Sequence, residues 1–98
     1  MRFELIYSPE AREQLEGLEK DRSRARVWKD VRKTLTLLEA NLRHPSLQTH
    51  KYHSLKGPGG EDVFEAYAQQ KTPGAYRVFW HYGPGKGQIT ILAAIPHP

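Results

Sequence analysis

The chain has 98 residues, with 15 Lys and Arg against 11 Asp and Glu, a formal charge of +4 with its five histidines neutral, and no cysteine. That length supports one domain with a modest core, taken here as residues 1–98, and not two. The missing cysteines exclude disulfides and thiolate metal sites, while the positive excess favours polyanionic partners.

Arg2 to Tyr7 alternates, with Phe3, Leu5 and Tyr7 on one face, the pattern of a strand. Its first residues lack a signal peptide's apolar run, and nowhere do about 18 apolar residues follow one another. The expectation is therefore a cytoplasmic protein that spans no membrane. Ser8-Pro9 supplies a cap and a first-turn proline, and Ala11, Leu15 and Leu18 recur at helical spacing, which predicts a helix from Pro9 to about Lys20.

After a break at Asp21-Arg22-Ser23, apolar residues at Val27, Val31, Leu35, Leu38 and Leu42 form the stripe of a second helix, from about Ser23 to Leu42, widened by Trp28 and Leu37. So short a link predicts an antiparallel hairpin covering one face of a sheet. Arg43-His44-Pro45 ends it, because proline disfavours helical geometry in the residue before it.

Ser46 to Gly60 carries no clear period; Leu47 and Leu55 are its candidate anchors, and Gly57-Pro58-Gly59-Gly60 is turn chemistry. Asp62 to Gln69 alternates again, setting Val63, Glu65 and Tyr67 against Phe64, Ala66 and Ala68. Thr72-Pro73-Gly74 turns into Tyr76 to Tyr82, where Arg77, Phe79 and His81 share one face and Tyr76, Val78, Trp80 and Tyr82 the other. Gly83 to Gly87 turns into a last strand, Gln88 to Ile95, before Pro96-His97-Pro98. The order β, α, α, β, β, β predicts an α+β fold: an N-terminal strand, a helical hairpin and a three-stranded antiparallel meander, with helices on one face of a four-stranded sheet.

An arginine held on a sheet is a rigid, always-charged fork suited to phosphate, and His97 closes the neighbouring strand. Glu65 lies one strand away, where simple charge pairing with Arg77 is the commoner use of such residues. His81 reads as structural or solvated, Tyr76 and Trp80 as core, and Tyr67 and Tyr82 as rings able to stack on bases. His44, His50 and His53 with Lys51 and Lys56 form a basic segment fitted to grip a nucleic-acid backbone. With no cysteine and no carboxylate at ligand spacing, it does not suggest a metal site. The glycine-rich segments match no phosphate-binding fingerprint and read as turns.

This element order, with Ala75-Tyr76-Arg77-Val78-Phe79 after a turn and Ile89-Thr90-Ile91-Leu92 before a terminal basic residue, resembles the RelE/ParE superfamily of bacterial toxins over Phe3 to His97. The resemblance implies the toxin of a type II toxin-antitoxin system, neutralised by a cognate antitoxin. RelE-like members are endoribonucleases that cut messenger RNA, commonly on the ribosome, and so inhibit translation; ParE-like members instead act on DNA gyrase. By position, Glu65, Arg77 and His97 become the catalytic candidates, without metal or other cofactor, and Lys51, His53, Lys56 and His81 the RNA-binding ones. Two features of some RelE-like members are not matched here: paired lysines near Glu65 and a C-terminal tyrosine. A ParE-like gyrase inhibitor and a non-cleaving RNA-binding relative are the alternatives.

Overall fold

Ser8 joins the first two elements. Its hydroxyl accepts the Ala11 N–H at 3.0 Å, capping the helix that begins at Pro9, and donates to the Leu92 carbonyl at 3.1 Å, tying that helix to the last strand. The computed structural model describes residues 2–97. The elements run β1 (Glu4–Tyr7), α1 (Pro9–Lys20), a 3-10 turn (Arg22–Arg24), α2 (Ala25–Ala40), a second 3-10 turn (Pro45–Leu47), β2 (His50–Lys56), β3 (Asp62–Tyr67), β4 (Tyr76–Tyr82) and β5 (Gln88–Pro96).

The sheet has five strands in the order β1-β5-β4-β3-β2, with β1 parallel to β5 and the other pairs antiparallel. The predicted meander is therefore present, but it is extended by a strand that the sequence reading left as an unassigned segment. β2 is an edge strand whose residues are almost all exposed, and only Tyr52 among them is partly covered. An edge strand wetted on most of its surface needs no apolar alternation, so periodicity could not reveal it. Its pairing with β3 is irregular between Lys51 and Lys56, which weakens the pattern further.

Both helices pack on one face, as predicted. Ala11, Leu15 and Leu18 from α1 and Val31, Leu35 and Leu38 from α2 meet Ala66, Tyr76, Val78, Trp80, Ile89, Ile91 and Ala94 in the main core. A smaller cluster of Val63, Phe79 and Ala93, edged by Tyr52, Leu92 and Ile95, lies on the other face. The predicted division of β4 is thus found, with Tyr76, Val78 and Trp80 turned to the helices and Phe79 turned away.

β5 achieves its own division through a bulge. Phe79 pairs with Ala93 and Trp80 with Ile91, leaving Leu92 as the additional residue. Strict alternation would put Ile91 and Ala93 on one face; the bulge sends Ile91 to the helices and Ala93 to the helix-free side. Beyond β5 the pairing continues, since the His97 N–H donates to the Ala75 carbonyl at 2.8 Å. That bond fixes His97 against the sheet, although it stands near the chain end.

Candidate functional site on the helix-free face

Alternation in β3 places Val63, Glu65 and Tyr67 away from the helices. In register, Glu65 stands opposite His50 on β2 and Phe79 on β4, while Tyr67 stands opposite Arg77. Glu65 is consequently a central residue, 1 % exposed, surrounded by three basic side chains. Its Oε1 lies 2.7 Å from His50 Nε2, its Oε2 lies 2.9 Å from His97 Nδ1, and Arg77 Nε is 3.7 Å from the same Oε2. A carboxylate this deeply buried requires counter-charge and hydrogen bonds, and these neighbours provide both.

Arg77 and His97 therefore share one side of the sheet, as the sequence suggested, but Arg77 is not an open fork. Its side chain is 7 % exposed. Nη1 donates to the carbonyls of Gln69 and, at 3.3 Å, Tyr76, and the guanidinium carbon sits 3.7 Å from the Tyr67 ring centroid. Tyr67 covers the cation in a close cation–π contact instead of lying free for a base. The anticipated pairing of Glu65 with Arg77 is also present, as a diagonal and not a directly opposed contact.

His97 is different. Its side chain is 47 % exposed, and the carboxylate holds Nδ1. With Nδ1–H donated to Glu65, Nε2 is the nitrogen left to exchange a proton with a ligand, the usual consequence of a carboxylate orienting an imidazole. His50 is likewise 47 % exposed on the other carboxylate oxygen. It was not among the sequence-derived catalytic candidates, and the only signal available was its place in a basic segment; its alignment with Glu65 depends on the unrecognised β2.

The four candidate RNA-binding residues do not converge here. Lys51 stands opposite Phe64, a residue packed on the helix-side core, and its ammonium is 3.2 Å from Asp62 Oδ2. Lys56 binds the other oxygen of Asp62 at 2.6 Å. The hydrogen bond from Lys56, followed by that from Lys51, holds the Asp62 carboxyl below its ordinary range. His53 is exposed on β2. His81 is 5 % exposed and hydrogen-bonds through Nδ1 to the Tyr82 carbonyl at 2.7 Å, so it is buried in the sheet and not solvated. Among the described residues, no group of three or more His, Cys, Asp or Glu is arranged to hold a metal ion.

No family model and no curated protein matches this sequence. Solved structures do match its fold. The YoeB/ParE toxin from Agrobacterium tumefaciens aligns with TM-score 0.70 at 9 % identity, over 98 % of this chain and 100 % of that one. A chain of the archaeal RelE-RelB complex from Pyrococcus horikoshii aligns with TM-score 0.64 at 20 % identity, over 98 % of this chain and 96 % of that one. A chain of the E. coli DinJ-YafQ toxin-antitoxin complex aligns with TM-score 0.65 at 14 % identity, over 99 % and 94 %. The chain has the α+β fold of RelE/ParE-superfamily toxins, with two helices on a five-stranded mixed sheet.

Proposed function

We propose that this chain is the toxin of a type II toxin-antitoxin pair and an endoribonuclease that cuts messenger RNA and thereby inhibits translation. The observation that carries the reading is the buried Glu65 holding the half-exposed His97 by Nδ1 at 2.9 Å, which leaves the other ring nitrogen for proton transfer. Support comes from the shared fold and from the net charge of +4, which suits a polyanionic substrate.

In this reading the RNA 2′-hydroxyl attacks the adjacent phosphorus and its proton passes to water. The P–O5′ bond breaks, and imidazolium His97 delivers its Nε2 proton to the departing 5′ oxygen, ending as the neutral tautomer that Glu65 already favours. The products are a 2′,3′-cyclic phosphate and a 5′-hydroxyl. Apart from that water, these steps use the chain's own side chains and require no cofactor. Glu65 orients the ring, since both its oxygens already bind imidazoles, and Arg77 stabilises that carboxylate from below. Substrate RNA places the action in the cytoplasm, with the ribosome as the setting in which message is presented. No described helix is long and apolar enough to cross a membrane.

The partner in this proposal is a cognate antitoxin, consistent with the complexes formed by two of the structural neighbours. The test is purified protein in a translating extract, followed by mapping of RNA ends. Cleaved message with 5′-hydroxyl termini supports the reading. Intact message with inhibited gyrase supercoiling favours a gyrase inhibitor instead, and intact message with salt-dependent RNA binding favours a non-cleaving relative.

A further inference from the structure

We propose that His50 is an additional working residue of this site: an imidazolium clamped between Glu65 and the Gln48 carbonyl that supplies the exposed positive charge beside the RNA phosphate. The inference rests on the nuclease reading for its role, but the clamp itself stands on geometry.

His50 Nε2 lies 2.7 Å from Glu65 Oε1, and Nδ1 lies 3.0 Å from the Gln48 carbonyl oxygen. A carbonyl can only accept, so Nδ1 must carry a hydrogen to bond there. The buried carboxylate accepts at Nε2, with Arg77 beside it as counter-charge. A ring donating from both nitrogens is an imidazolium.

The backbone supports this arrangement. Gln48 has φ 45 and ψ 40, a left-handed conformation that residues other than glycine adopt at some strain. The conformation follows the 3-10 turn at Pro45–Leu47, whose Pro45 carbonyl accepts the Gln48 N–H at 3.1 Å. Strain held at one point beside a candidate site points to a functional constraint there, and the Gln48 carbonyl is what meets His50.

The surroundings of the ring are accounted for on each side. β3 presents Glu65 and the edge of Tyr67, whose centroid is 5.7 Å from that of His50. His97 and Arg77 reach the same carboxylate from the end of β5 and from β4. The adjacent Lys51 is paired with Asp62. One carboxylate thus faces two fixed cations, Arg77 and His50, with His97 free to exchange its proton. Exposure separates the two cations: the Arg77 side chain is 7 % exposed and that of His50 47 %. A phosphate arriving at His97 meets the charge of His50 and not a bare guanidinium. Placed charge of this kind acts on the transition state, and His50 also fixes the free oxygen of Glu65, making it a positioning residue for His97.

The test has two arms. Nitrogen-15 NMR of the ring at neutral pH should show both His50 nitrogens protonated in the parent, and a neutral tautomer in Glu65→Gln. A neutral His50 ring in the parent overturns the clamp whether or not RNA is cut. In the second arm, His50→Gln, shown folded by circular dichroism, should cut RNA roughly 100- to 1,000-fold more slowly, in line with loss of one electrostatic contact in an active site. His50→Arg, which keeps a cation next to Glu65, should recover part of that loss. Parental cleavage by His50→Gln overturns the role. A protonated ring in a parent that cuts no RNA overturns the nuclease reading and, with it, the catalytic role of His50, while leaving the clamp as a feature of the fold.

Discussion

Glu65 and His97 bind each other across an intervening strand. Glu65 lies on β3 and His97 just beyond β5, with β4 between them, yet Oε2 and Nδ1 are 2.9 Å apart. Strands two places apart are separated by roughly 10 Å, so these side chains must converge above β4. From β4, Arg77 places its Nε 3.7 Å from the same Oε2, with its guanidinium turned toward the Gln69 and Tyr76 carbonyls and covered by Tyr67. The bridge and the covered arginine are therefore two parts of one arrangement: the cation sustains the carboxylate, and the carboxylate presents the imidazole.

Removing that imidazole tests chemistry more than stability. His97→Gln should reduce RNA cleavage by about 100-fold or more, the usual range for loss of a general acid. Because glutamine still offers Glu65 a hydrogen-bond donor, and His50 and Arg77 remain beside it, the unfolding midpoint should stay near the parent's. Comparison of cleavage rates with thermal melts separates the two effects, and unchanged cleavage would refute the assignment of His97.

Removing Glu65 should instead unsettle the fold. Glu65→Ala leaves Arg77 buried without its anionic partner, and breaking a buried pair in this way typically costs about 3–5 kcal/mol. Urea denaturation measures this. The double variant Glu65→Ala with Arg77→Ala should lose less than the sum of the single losses, because the two side chains share one interaction.

Ser8→Ala should destabilise the protein by about 1–2 kcal/mol, in the upper range for loss of a helix cap, because the same hydroxyl also ties α1 to the Leu92 carbonyl. Ser8→Thr, which retains the hydroxyl, should recover most of the loss. A chemical denaturation series on the two variants checks both expectations.

Asp62 gives a pH-dependent prediction. Its carboxyl lies below the ordinary value of 3.8 because Lys56 and then Lys51 favour the ionised form. A carboxyl lowered by folding contributes stability that is fully present above the unfolded-state value and lost as pH falls through the folded-state value. The gap in Tm between the parent and Asp62→Asn should thus be constant from neutral pH down to about pH 5 and close as the pH drops below about 4. High salt should narrow the gap at neutral pH, since the pairs are solvent-exposed.

Local periodicity was enough to identify both helices, four strands and the two faces of β4. Val31, Leu35 and Leu38 could be assigned to the core from helical spacing, and Tyr76, Val78 and Trp80 from alternation, because burying one side of a regular element leaves its period in the sequence. The same alternation put Glu65 and Arg77 on a common face. Only the tertiary structure decided that β2 exists, that β1 docks parallel to β5, and that a bulge at Leu92 divides Ile91 from Ala93. An exposed edge strand leaves no apolar period, and strand order and register are set by contacts between distant segments. For that reason His50 could not be joined to Glu65 from the sequence, and the sealing of Arg77 beneath Tyr67 could not be foreseen. The types of side chain available for chemistry are local information; which of them meet, and which remain open to a ligand, depends on how five strands align.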